Sequence, residues 1–361
     1  MTLLSLLLDG LALGCIYALI ALGYTMVYGI IKLINFAHGE FYMIGAYAAF
    51  IFLAVVRTTG LAEPYDTAML LLCAMLVAGA AAGVLAVIVE RLAYRPLRRA
   101  SRIAALLTAL GVSLFLQNAA LKVFSQNTEA FRKPPLVVDR RYPTFEINAT
   151  DVRPGAVFDT EVFWRDDVGS EQFLSPAGFA ISEEEFRWAA EHGARRFYRY
   201  PRVTVRRKQI IIWTSVALIA VGLHFLVRHT RIGKAMRAVS YDFETAGLMG
   251  INVDRVISFT FFIGALLAGA GAALVGMYYG TIKPTMGIMP GLKAFVAAVI
   301  GGIGSIPGAL LGGLALGTAE SLVQLSPITA PYQDAFAFAI LIVILVFLPN
   351  GFFGRHEREK V

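Results

Sequence analysis

The chain has 361 residues, 57% of them hydrophobic and 16% charged, with a mean hydropathy of +0.66. Soluble domains run at about 45–50% apolar and about 25% charged, so an ordinary soluble enzyme is excluded. The composition is that of an all-α polytopic membrane protein, with room for about eight or nine spans at roughly 20 apolar residues each. The formal charge of +7 is read as topology and not as a nucleic-acid footprint, because cytoplasmic loops collect Lys and Arg.

In chain order, apolar segments are predicted at about 3–31, 41–56, 67–89, 103–124, 209–227, 256–280, 291–325 and 332–349. The start TLLSLLLDGLALG lacks a basic n-region and a small-residue cleavage site, so it is expected to be a retained span and not a secretory signal. Cys15 and Cys73 lie in apolar runs, where a free Cys acts as a small hydrophobe. The segment 291–325 is too long for one span at 1.5 Å per residue, and GGIGSIPG (301–308) divides it, so two short helices are expected there. Many of the 34 glycines sit inside apolar runs. Small-xxx-small pairs at Gly10/Gly14, Gly79/Gly83, Gly276/Gly280, Gly308/Gly312 and Gly313/Gly317 predict close helix crossings.

Two loops are dense in positive charge. One carries Arg91, Arg95, Arg98, Arg99 and Arg102, the other Arg228, Arg231, Lys234 and Arg237, and both are expected in the cytoplasm. One span out and one span back separate them, which places the polar region 125–208 outside. Continuing the count puts the tail (Arg355, Arg358, Lys360) in the cytoplasm and the N-terminus outside. Three regions result: an N-terminal transmembrane region 1–124, an external insert 125–208, and a C-terminal transmembrane region 209–361 with a cytoplasmic loop at 231–255. The insert holds 14 Lys or Arg and 13 Asp or Glu, besides Phe163, Trp164, Phe173, Phe179, Phe186 and Trp188. In ISEEEFRWAAEHGARRF, Ser182 and Glu185 have capping-box spacing. Its alternating signs describe a solvated face and no nucleic-acid partner.

No GxSxG elbow, HExxH, P-loop or His/Cys pair at metal spacing is present, so catalytic, metal and cofactor residues are all absent from the expected site. Three stretches carry the functional signal. In KLINFAHGEFYMIGAY (32–47), Asn35, Phe36, His38, Gly39 and Glu40 bring polar groups into an apolar run, where ionisable residues default to a transport pathway. Either an interfacial turn or a broken helix dipping into the membrane accommodates them. In RIGKAMRAVSYDFETAGLMGINVDR (231–255), Ala238, Asp242 and Ala246 recur every four residues and are expected on one helix face, with Gly247 and Gly250 ending that helix. A docking helix and a plain amphipathic connector are both consistent with this spacing. In GGIGSIPG, Gly301, Gly302, Gly304, Pro307 and Gly308 make a glycine-rich break. It is either a substrate-binding discontinuity of the kind found in transporters or a turn at the cytoplasmic face. Asp9, His224, Glu320 and Asp334 lie near span ends, where snorkelling or interhelical bonding is expected.

With NFAHGE (35–40) and RA-x(3)-D-x(3)-AG-x(2)-GI (237–251) in order, the chain resembles the permease subunits of branched-chain amino acid ABC importers of the LivH type. The blocks 10–47, 231–280 and 290–322 carry the resemblance, which covers most of the chain outside 125–208. It implies one permease of a heteromeric importer in the bacterial inner membrane. A second related permease, two cytoplasmic ABC ATPases that bind the ATP, and a periplasmic substrate-binding protein would complete it, with an amino acid as substrate. It also implies that Arg237, Ala238, Asp242, Ala246, Gly247 and Gly250 form the coupling helix to an ATPase. The insert departs from the short external loop expected of the family. A urea or short-chain amide permease of the same family is the alternative. A stand-alone secondary transporter or channel ranks lower, since intramembrane charges are few, and an intramembrane enzyme using His38 and Glu40 ranks last.

Overall fold

A computed structural model describes residues 3–32, 35–59, 67–98, 100–124, 204–348 and 350–354, with the short stretches 129–130, 141–143, 164–165, 173–174 and 180–181 of the insert. Among them the chain is an all-α membrane bundle in which eight helices are long and apolar enough to cross a bilayer. The N-terminal region contains α1 (Leu3–Ile31), α2 (His38–Thr58), α3 (Thr67–Val89) and α4 (Arg102–Phe124). A π-helical turn (Glu90–Tyr94) and a 3-10 turn (Arg95–Leu97) extend α3. After the insert come α5 (Arg207–His229), α6 (Arg231–Tyr241), α7 (Phe243–Leu248), α8 (Val253–Tyr279), α9 (Ile288–Gly301), α10 (Ile306–Val323) and α11 (Gln333–Phe347).

Side chains of Ser, Thr and Asn start the helices whose first N–H groups would otherwise be unpaired. Thr230 accepts from the Gly233 N–H ahead of α6, Asn252 from the Arg255 N–H ahead of α8, and Ser305 from the Gly308 N–H ahead of α10. Pro307 sits in the first turn of α10, where its missing N–H costs nothing.

Gly10 and Gly14 of α1 face α10: a methyl group on Gly14 would lie 2.8 Å from the Leu314 Cα, and one on Gly317 would strike the Gly14 backbone. Two glycine pairs some 300 residues apart in sequence thus form one crossing. Gly79 and Gly83 of α3 meet Leu266 and Phe262 of α8. Gly280, by contrast, ends α8 in the left-handed conformation (φ 73°), its N–H donating to the Gly276 carbonyl. That pair closes a helix.

The span ends sort onto two faces. On one, Asp9 of α1 accepts from Gln209 of α5 (2.7 Å) and from the hydroxyl of Tyr278 of α8 (3.2 Å). There too Glu129–Ala130 (β1), at the root of the insert, pairs antiparallel with Thr281–Ile282 (β7). On the opposite face, Arg95 and Arg98 after α3 pair with Asp254 at the start of α8. Gly304 reaches the end of α1 near Gly29, and the Phe352 N–H donates to the Ile300 carbonyl (3.0 Å). The root of the insert and the N-terminus of α1 therefore share one face, and the basic loops share the other with residues 350–354.

Within the insert, Arg141–Pro143 (β2) pairs with Thr204–Arg206 (β6), and Trp164–Arg165 (β3), Phe173–Leu174 (β4) and Ala180–Ile181 (β5) form a small antiparallel sheet. The helix expected from Ser182 and the basic tail beyond residue 354 lie outside the described residues.

One expectation about the loops is corrected, and one left open is narrowed. The segment 231–250 is not one helix: Asp242 adopts an extended conformation (φ −158°, ψ 118°) and separates α6 from α7. Ala238, Asp242 and Ala246 therefore do not share a helix face, because the aspartate carboxylate competes for backbone N–H groups and starts a new helix. Gly247 lies inside α7, and Gly250 alone takes the left-handed conformation (φ 84°) that turns the chain after it. Two short helices flank the break at 301–308, and of the two alternatives for it the structure has the turn, a hairpin at the basic face. Gly302 (φ 94°) and Gly304 (φ 95°) supply left-handed conformations closed to most side chains, so α9 and α10 fold back against each other.

Candidate functional site

The polar residues of NFAHGE, Asn35, His38 and Glu40, are buried in the bundle. Lys32 ends α1 with a positive φ of 57°, and the chain re-enters the bundle before α2 begins at His38. Asn35 organises this re-entry. Its Oδ1 accepts from the Ala37 N–H (3.1 Å) and from the Tyr94 hydroxyl (2.7 Å), and its carbonyl accepts from the His38 N–H (3.1 Å).

His38 is buried, hydrogen-bonds the Ile20 carbonyl of α1, and packs its ring 4.5 Å from that of Tyr24. A methyl group on Gly23 would come within 2.5 Å of both His38 Nε2 and the Gly264 carbonyl oxygen. Gly23 lies about 12 Å inside the end of α1, and Gly264 roughly 16 Å inside the start of α8, at 1.5 Å per residue. Half the thickness of a hydrocarbon core is about 15 Å. His38 is accordingly placed near the middle of the bundle.

A second discontinuity, which the sequence reading missed, meets the first. After α8 closes at Gly280, residues 281–287 run back into the bundle, and α9 starts at Ile288. Gly39 packs against Gly287 and Gly291 so closely that a methyl group on Gly291 would lie 2.9 Å from the Gly39 Cα. Two helices, α2 and α9, thus begin side by side at mid-bundle. Their first turns bring two positive dipole ends together, while the N–H groups of His38, Glu40, Phe41, Ile288 and Gly291 are already bonded to nearby carbonyls. The signal in the sequence was TIKPTMGIMPG (281–291), where two prolines and two glycines interrupt the apolar pattern.

Glu40 occupies that junction. Its side chain is buried, Oε1 accepts from the Ser113 hydroxyl of α4 (3.2 Å), and Oε2 has no hydrogen-bond partner and lies beside Gly287. The Nε2 of His38 and the Nδ2 of Asn35 are likewise buried without partners. Phe36 is half-buried, its ring 6.4 Å from that of Phe295 in α9. Of these unspent atoms the Asn35 Nδ2 is a hydrogen-bond donor, whereas Glu40 Oε2 and His38 Nε2, the latter on a ring whose other nitrogen donates to the Ile20 carbonyl, are acceptors.

Nearer the insert face, Lys293 of α9 pairs with Glu320 of α10 (2.8 Å) and Asp334 of α11 (2.6 Å), and the Tyr17 hydroxyl donates to Glu320 (2.8 Å). Glu320 and Asp334 are thus bonded between helices, as expected of residues near span ends. Lys293 was not anticipated. It ties three helices together, and with Lys293 and Glu320 almost fully buried the bridge is a structural cross-brace.

The loop between α5 and α8 presents a different surface. Asp242 Oδ1 accepts from the Glu244 N–H (2.8 Å) and Thr245 N–H (3.2 Å), and Oδ2 accepts from the Thr245 hydroxyl (2.7 Å). The bond from the Thr245 hydroxyl, followed by those from the backbone N–H groups, holds its carboxyl below the usual aspartate value. Ala246 is buried, and Ala238 is half-buried. The Arg237 guanidinium donates to the Val227 carbonyl, fastening α6 to the end of α5. Gly247 and Gly250 have open space around them. Tyr241, Leu248 and Met249 are each at least 80% exposed. These apolar side chains stand exposed on a charged loop.

Comparison with known proteins agrees with this architecture. A profile described as branched-chain amino acid transport system, permease component, matches residues 6–345. The chain is 39% identical over 354 residues to the high-affinity branched-chain amino acid transport system permease protein LivH of Salmonella typhimurium, covering 98% of this chain and 96% of the relative. The same figures hold for LivH of Escherichia coli. For BraD of Pseudomonas aeruginosa, a permease protein of the same description, identity is 39% over 355 residues, covering 98% of this chain and 97% of the relative. No solved structure matches. Both the eight-span bundle and the matched profile describe a membrane transport subunit, and the chain belongs to the branched-chain amino acid transport system permease family.

Proposed function

We propose that this chain is one permease subunit of an ATP-driven importer that carries branched-chain amino acids across the bacterial inner membrane, with its basic face and C-terminus in the cytoplasm. The named relatives favour branched-chain amino acids over the urea or short-chain amide alternative. The ATP is bound by two separate ATPase subunits, a second permease completes the pathway, and a periplasmic binding protein delivers the substrate to the insert face.

One observation carries the pathway. Glu40 has an unpartnered carboxylate oxygen at mid-bundle, beside the starts of α2 and α9. An unpaired buried carboxylate is costly, and here it supplies transient complementarity to the α-ammonium group common to all amino acids. Asn35 offers its unspent Nδ2 to the carboxylate and His38 its lone-pair Nε2 as a second acceptor for the ammonium group, with Phe36 and Gly39 shaping the wall. Because these contacts ignore the side chain, selectivity rests with the binding protein. The glycine turn Gly301, Gly302, Gly304, Pro307 and Gly308 then serves as a rigid hairpin at the cytoplasmic end and binds no substrate.

The coupling surface is the α6–α7 elbow. Asp242 and Gly250 set its two turns, Arg237 anchors it, Ala238 and Ala246 pack it inward, and Gly247 leaves room for close approach. Tyr241, Leu248 and Met249 meet the ATPase. Movement of this elbow on ATP-driven closure would tilt α5 and α8 and reverse access, a rigid-body switch. The insert, with the mixed charge and strand pairs at its root, forms an external docking lobe for the binding protein. Reconstitution of the purified subunits in liposomes tests the reading: ATP-dependent leucine uptake that requires the binding protein supports it. Uptake by this chain alone without ATP would replace the importer with a stand-alone transporter.

A further inference from the structure

On the basic face, between the end of α3 and the start of α8, lies a cavity of about 300 Å3 that the transport pathway does not use. Its lining is divided by chemistry. Val87, Phe259 and Phe262 form the part toward the membrane interior, and Arg91, Arg95 and Arg255 the part toward the loops, together with Asp254.

The charges do not cancel. Asp254 is paired with Arg95 and Arg98, and Arg98 also pairs with the buried Glu90, so these two acids and two bases neutralise one another. Arg91 and Arg255 are exposed and make no ion pair among the described residues. Two guanidinium groups are left facing a cavity with an apolar floor. Val84 and Ile88, exposed on the adjoining flank of α3, continue the apolar surface toward the other membrane face.

We propose that this cavity binds the headgroup of an anionic phospholipid from the leaflet on the basic face. The phosphate would be held by Arg91 and Arg255 and an acyl chain laid along Val84 and Ile88. Guanidinium groups match phosphate oxygens in fork geometry, and basic pockets between helices on the cytoplasmic side suit such headgroups. The inference rests on the orientation proposed above and is independent of the substrate. Its consequence is a lipid clamp on the α3–α8 contact, which borders the re-entrant segment through Tyr94 and Asn35.

Native mass spectrometry of the full chain, purified with its co-purifying subunits and equilibrated with phosphatidylglycerol or phosphatidylethanolamine, tests it. Preferential retention of phosphatidylglycerol is expected, falling roughly fivefold for each of Arg91→Gln and Arg255→Gln. The Arg91→Lys/Arg255→Lys variant should keep part of the preference, and the charge-matched control Arg228→Gln all of it. Both arginines are exposed and unpaired, so these variants fold. Equal retention of the two lipids, or undiminished retention by the double Gln variant, would overturn the proposal. So would two other results: inorganic phosphate protecting the lipid-free protein against heat as well as phosphatidylglycerol does, which would make this a site for free phosphate, or loss of a partner subunit from the double variant with bound lipid unchanged.

Discussion

The crossing of α1 with α8 at His38 gives the sharpest quantitative expectation. In Gly23→Ala the new methyl group would stand 2.5 Å from both the Gly264 carbonyl oxygen and His38 Nε2. Ordinary contact begins near 3.4 Å, so the helices must separate by most of an ångström or the histidine must leave its place against Ile20. Overpacking of this kind costs about 1–3 kcal/mol, a five- to 150-fold fall in the folded-to-unfolded ratio. Gly111→Ala on α4 is the control: no atom lies within 4 Å of its added methyl group, and the exchange gains roughly 0.5–1 kcal/mol of helix propensity. Unfolding by SDS titration in mixed micelles, followed by circular dichroism, should separate the two variants by at least the overpacking cost. Uptake should fall only for Gly23→Ala, because His38 moves. Equal stability of the two variants would refute the placement of His38 beside Gly23 and Gly264, and with it the mid-bundle position of the site.

Other expectations follow from single interactions. Lys293→Met leaves the buried Glu320 carboxylate without its cation and should destabilise by about 3–5 kcal/mol in the same titration, with Lys293→Met/Glu320→Gln recovering most of the loss. Glu40→Gln should slow uptake of leucine, isoleucine and valine by similar factors; competition assays showing a change in preference among them would contradict the ammonium role. The Asp242 carboxyl is held below its unfolded value, so its capping contribution is complete above the usual carboxylate range and is lost only as pH falls through the lowered folded-state value. Binding of the ATPase should therefore be indifferent to Asp242 titration between pH 5 and 8 and weaken in Asp242→Ala, as measured by co-purification across that range.

The bundle was legible because hydropathy is a long-range average. The first and third apolar segments coincide with α1 and α3, and the basic loops fix two faces through nothing more than counting. Glycine pairs at four-residue spacing announced crossings, but not that Gly10 and Gly14 would meet Gly313 and Gly317, since helix pairing in three dimensions leaves no local trace. The loop at 231–250 misled because four-residue recurrence was taken for a continuous helix. Asp242 takes the backbone N–H groups of Glu244 and Thr245 for itself, and aspartate is as ready to start a helix as to decorate one. Similarly, GGIGSIPG drew attention as a break, yet left-handed glycines equally make a hairpin turn. The discontinuity that reaches the site is the less conspicuous TIKPTMGIMPG. Only the packing of Gly39 on Gly287 and Gly291 shows that it joins NFAHGE.

The central claim is that this chain works as a permease coupled to separate ATPases through the α6–α7 elbow. Affinity purification of the tagged chain from its native membranes in mild detergent, with mass spectrometry of the bound proteins, tests that claim most directly. The account predicts a second permease and two P-loop ATPases, with the ATPases lost when Asp242→Ala is combined with Leu248→Asp on the exposed apolar surface. Recovery of the intact chain alone across several detergents, or ATPases retained undiminished by that variant, would contradict it.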